Sequence, residues 1–98
     1  MRIDVDDSEV TIYGAIKTIS DHESIKNVLD DVVQTHKHIT IIVPESPTII
    51  SSVIGYLIKL IFMKKIQITV KVGNDSLYQM MHELELIKVL NVSKMDRE

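Results

Sequence analysis

Ser51 and Ser52 are adjacent hydroxyls just ahead of Gly55, set where a β-branched run gives way to a long apolar segment. A serine hydrolase would need glycine around its nucleophile, and Ile50-Ser51-Ser52-Val53 places β-branched residues there instead. No partner pattern for a Ser–His–Asp triad is visible, so no catalytic residue is assigned and no enzyme activity is expected. Modification is the chemistry that remains. A phosphate on Ser51, with Ser52 as second choice, would lie near the amides of a helix start and add about −1.5 to −2 charge there. Asp4, Asp6 and Asp7 resemble a carboxylate cluster, but the alternation around them turns Asp4 and Asp6 toward solvent on an edge strand. His36 and His38 share the spacing of one strand face without a third ligand, and His22 and His82 stand alone on helices. The three glycines, Gly14, Gly55 and Gly73, form neither a G-x-x-x-x-G-K-[ST] nor a G-x-G-x-x-G phosphate cradle. No metal and no cofactor is expected.

The 98 residues suffice for one domain, residues 1–98, with a core of its own and no disulfide or metal staple. Cysteine is absent, which removes thiolate chemistry and cysteine-ligated metal centres. A net charge of −3 with 4% aromatic residues provides neither the basic footprint nor the stacking platforms of a nucleic-acid binder. The acidic start, Met1 to Asp7, does not resemble a secretory signal, so a cytoplasmic location is expected. The most apolar stretch, Ile49 to Met63, is interrupted by Ser51, Ser52 and Lys59 and is shorter than the roughly 20 residues a membrane span requires. It reads as a core helix, and no membrane insertion is expected.

These residues must be held by a regular scaffold. Ile3 and Val5, then Val10 and Ile12, alternate with polar residues on either side of an Asp7-Ser8 turn, which predicts an antiparallel pair ending at Gly14. Ser20-Asp21-His22-Glu23 matches a capping box ahead of Ile25, Val28, Leu29 and Val32, predicting a helix from about Asp21 to Thr35. Ile39 to Val43 is a dense β-branched run of the kind found in a strand covered on both faces, closed by Pro44. Ser46 or Thr48 is the expected cap of the second helix. Ile66 to Val72 alternates as a strand, Gly73-Asn74-Asp75-Ser76 supplies a turn and cap for a third helix, and a last strand is expected over Lys88 to Val92. Right-handed connections then give an α/β domain: a mixed, mostly parallel sheet of four to five strands with about three packed helices.

On a helical wheel from Ile49, at about 100° per residue, Ile49, Ile50, Val53, Ile54, Leu57, Ile58, Leu60 and Ile61 fill one half. Ser51, Ser52, Gly55, Tyr56 and Lys59 fill the other, and Phe62 projects among them. Small residues leading to an out-of-place aromatic predict a docking face for another protein, formed by Ser51, Ser52, Gly55, Lys59 and Phe62.

The order of elements, with Ser51-Ser52-Val53-Ile54-Gly55-Tyr56-Leu57, resembles the STAS domain shared by sulfate transporters and anti-sigma factor antagonists, over about residues 9 to 92. The family motif is D-S-S-G-L-G-x-L, which Ser51, Ser52, Gly55 and Leu57 match; Gly14 and the Met81 to Leu86 stretch agree in position. Ile50 stands where the family has aspartate, and Val53 where it has glycine. The resemblance implies a regulatory protein-binding module similar to an anti-sigma factor antagonist, phosphorylated on the first serine by a partner kinase of the anti-sigma type. Two alternatives remain open: a STAS scaffold or subunit that works without phosphorylation, and a nucleotide or lipid site at the sheet edge beside Gly14 and the Pro44 loop.

Overall fold

The computed structural model describes residues 1–95. Its elements run β1 (Arg2–Asp6), β2 (Glu9–Tyr13), α1 (Ile19–Val32), β3 (His38–Val43), α2 (Ser51–Met63), β4 (Gln67–Val72), α3 (Asp75–Glu83) and β5 (Val92–Lys94). The five strands lie side by side in sequence order, β1 antiparallel to β2 and each later neighbour parallel. The α/β architecture is as the pattern of elements predicts.

Every crossover steps one strand in the same direction, and right-handed connections of that kind place all three helices on one face of the sheet. The side chains record it. Val10, Ile41, Val70 and Val92 stand in register across four strands and are all buried, whereas the adjoining row of Thr11, Ile42, Lys71 and Ser93 runs from half-buried to exposed. The expectation that β3 is covered on both faces is therefore corrected. Its Ile39, Ile41 and Val43 face the helices, while Thr40 and Ile42 face outward, where β-branched residues are favoured by strand geometry without full burial.

Helix α1 starts earlier than the sequence suggests. Two overlapping capping signals compete, and Thr18 with Asp21 prevails over Ser20 with Glu23: the Thr18 hydroxyl accepts the Asp21 N–H at 3.1 Å, and Asp21 Oδ2 accepts the N–H groups of both Lys17 and Thr18 at 3.0 Å. These backbone hydrogen bonds, that from Lys17 foremost, hold the Asp21 carboxyl below its usual range. In α3 the expected cap is in place, with Asn74 Oδ1 accepting from Ser76 and Leu77. The last strand lies later than expected, at Val92–Lys94, because residues 86–91 turn before joining β4.

Three loops meet at the C-terminal ends of β2, β3 and β4. Ser46, the one buried polar residue among the described residues, accepts the Ile16 N–H at 3.0 Å and donates to the Thr48 carbonyl at 2.6 Å, so it ties the β2–α1 loop to the β3–α2 loop. Ser46 was expected as a helix cap; its hydroxyl is spent on this loop closure instead. Gly73 N–H donates to the Val43 carbonyl at 2.9 Å, and a Cβ at Gly73 would lie well inside contact distance of the Pro44 carbonyl oxygen. Glycine is required there by close approach of backbone to backbone.

Candidate functional site

Helix α2 begins at Ser51, with Ile50 as its N-cap and no side-chain hydrogen bond at that cap. Neither Ser46 nor Thr48 serves. The amides of the first turn consequently keep the positive end of the helix dipole uncovered by any side-chain acceptor at the cap position. Val53, Leu57 and Leu60 are buried against the sheet, and Ile54, Ile58 and Ile61 are partly buried beside them, as the wheel predicts.

The opposite side of α2 carries the residues selected from sequence. Ser51, Ser52, Gly55, Lys59 and Phe62 are all exposed. A Cβ built on Gly55 meets nothing within 4 Å, so the space above it is open. Phe62 is 61% exposed, and Met63 beside it, which the wheel did not single out, is 70% exposed. The ridge thus runs from two hydroxyls, past an open glycine, to two uncovered apolar side chains. Both departures from the STAS motif lie off it: Val53 is 2% exposed and Ile50 is partly buried.

Tyr56 behaves differently from its wheel position. It is half-buried, and its hydroxyl donates to Asp30 Oδ1 of α1. Burial, reinforced by the Asp30 carboxylate, pushes the phenol far above its usual range, so it remains a donor. The Tyr56 hydroxyl, followed by Lys26 at 3.0 Å, holds the Asp30 carboxyl below its own usual range. His22, expected to stand alone on its helix, approaches the Tyr56 ring edge-on, centroids 6.3 Å apart, and among the described residues its buried Nδ1 has no hydrogen-bond partner. These contacts fasten α1 to α2 and leave the ridge of α2 facing outward.

The remaining candidates are dispersed. His36 Nε2 lies 2.9 Å from Asp7 Oδ1 in the β1–β2 turn, and its Nδ1 lies 3.0 Å from Thr35 Oγ1 and 3.2 Å from the Val32 carbonyl. The Asp7 hydrogen bond, followed by that to Val32, raises the His36 pKa above 6.5. His38 instead lies 3.2 Å from Thr69 Oγ1 on the open face of the sheet. Asp4 pairs with Arg2 at 3.3 Å. Among the described residues no three histidine, aspartate or glutamate side chains cluster as a metal site, and no helix is long and apolar enough to cross a membrane. Gly14, at φ 91°, turns the chain into the clasped loops, where the Ile16 N–H donates to Ser46 Oγ.

Comparison with family models, with curated proteins and with solved structures found no match to this chain.

Proposed function

We propose that this chain is a regulatory protein-binding module of STAS type, similar to an anti-sigma factor antagonist, that docks another protein through the outward ridge of α2. The observation that carries this reading is the combination, on one helix, of a buried face at Val53, Leu57 and Leu60 and an uncovered ridge at Ser51, Ser52, Gly55, Lys59 and Phe62. Open space above Gly55 lets another backbone approach closely, and Phe62 offers a ring to bury at the far end of the contact. Phosphorylation of Ser51 by a partner kinase would place charge at a helix start that accommodates an anion, and would repel an acidic or apolar partner surface. A cytoplasmic setting with a serine kinase of the anti-sigma type belongs to the same proposal.

A phosphorylation-independent scaffold is the second reading, favoured by Ile50 in the position of the motif's aspartate. The two separate on one set of variants. Phe62→Ala and Gly55→Gln are expected to weaken a partner recovered by affinity capture by more than about 1 kcal/mol each while leaving the fold intact. Ser51→Asp is expected to weaken it as well. Unchanged affinity in the Phe62 and Gly55 variants would remove the ridge from consideration; loss there with a silent Ser51→Asp would select the scaffold.

A further inference from the structure

Beside the ridge, a groove of about 530 Å³ runs between α1 and α2 toward the N-terminal ends of β3 and β4. Its wall carries Lys26, Lys37, Lys59 and Lys64 against a single carboxylate, Asp30, in a chain whose net charge is −3. Asp30 is already engaged by Lys26 and the Tyr56 hydroxyl. Among the described residues Lys37, Lys59 and Lys64 have no ion-pair partner. Half-buried Val33 supplies apolar surface between the charges, over a floor closed by the buried Leu60 and Ile66.

We infer that this groove binds an acidic, extended segment of a partner protein, with its carboxylates on the lysines and an apolar side chain on the surface between them. Lysines that merely offset helix dipoles belong in the last turn or just beyond it, which accounts for Lys64 and Lys37. Lys26, near the middle of α1, is paired with Asp30, whereas Lys59 lies a turn before the end of α2, so unpaired charge extends along the groove beyond the reach of that effect. A compact phosphate is the poorer fit. The helix ends bordering the groove are the C-terminal ones, which present carbonyls rather than N–H groups, and the wall has no arginine fork to grip a phosphate in two places. Separate, flexible ammonium groups suit carboxylates spaced along a chain, and the volume admits several side chains.

The site does not depend on docking at the ridge, although Lys59 touches both. Lys37 and Lys64 line the groove alone and are the residues to change. The full chain is titrated by fluorescence anisotropy with a labelled peptide rich in glutamate and leucine, and with the same peptide carrying glutamine for glutamate. Binding of the glutamate peptide is expected to weaken about tenfold for Lys37→Glu and for Lys64→Glu, and to fall steeply as salt rises from ~50 to ~300 mM. Lys17→Glu, outside the groove, is expected to leave it within about twofold, and circular dichroism checks the fold of each variant. Equal binding of the glutamine peptide, an equal loss from Lys17→Glu, or full binding by the two groove variants would overturn the inference. So would displacement of the peptide by inorganic tripolyphosphate in preference to excess unlabelled peptide, which would assign the groove to a compact phosphate ligand.

Discussion

The clasped loops at the C-terminal ends of the parallel strands and the outward side of α2 use their polar and small residues in opposite ways. At the C-terminal end, where sites in α/β sheets commonly form, Ser46 and Gly73 are consumed in closing the loops on one another: one hydroxyl joins Ile16 to Thr48, and one missing side chain lets the β4–α3 loop lie against Pro44. On and beside α2, Lys37, Lys59 and Lys64 line an open groove, and Phe62 and Met63 stand in solvent. Gly55 and Gly73 express the same contrast in a single residue type. One has open space where a side chain would go, and the other has a carbonyl. Location within the fold therefore says less about function than whether the polar and small residues there are already committed to the protein's own structure.

Substitutions can break or sharpen this contrast. The largest effect is expected from Gly73→Ala, whose Cβ collides with the backbone of Pro44 and cannot be relieved by a rotamer change. A loss of about 3 kcal/mol in urea denaturation is expected, and a loss below about 0.5 kcal/mol would mean that the loops are not closely apposed. Ser46→Ala comes next, at about 2 kcal/mol, since it strands the buried Ile16 N–H without an acceptor. Gly55→Ala is expected to act in the opposite direction, raising stability by about 0.8 kcal/mol, because alanine is the better helix former and meets nothing at this position. A destabilising Gly55→Ala would show that the ridge is covered.

The smallest effect distinguishes the buried latch from the exposed one. Ser46 carries no titratable group, whereas the hydrogen bond by which His36 holds the β1–β2 turn through Asp7 is strengthened when the ring is an imidazolium. Its pKa is raised in the folded protein, so the folded state binds the proton more tightly than the unfolded chain does. That contribution is fully present below the ordinary histidine pKa of about 6.5 and is lost as pH rises through the raised folded value. In an NMR titration His36 is expected to titrate above about 6.5, and to return toward it in Asp7→Asn. An unchanged His36 titration in that variant would remove Asp7 as the cause.

Periodicity alone was enough to fix the kind and order of the elements. Val10/Ile12 and Ile66 to Val72 alternate, Ile25, Leu29 and Val32 recur at helical spacing, and Val53, Leu57 and Leu60 mark the inner face of α2, because burial of one face is imposed on these elements in the same way; Ile3 and Val5 of β1 alternate too, although Ile3 is only half-buried and Val5 is exposed. The exposed ridge followed from the same wheel. Tertiary packing had to decide whatever depended on a partner distant in sequence. Nothing near Ser46 indicates that its hydroxyl will meet Ile16, nothing near Tyr56 indicates Asp30, and the four lysines of the groove come from two helices and the segments that follow them. The choice of Thr18 over Ser20 as cap rests on hydrogen bonds within four residues, between two overlapping local signals, whereas the open side of β3 was decided by the sheet's carrying its helices on one face.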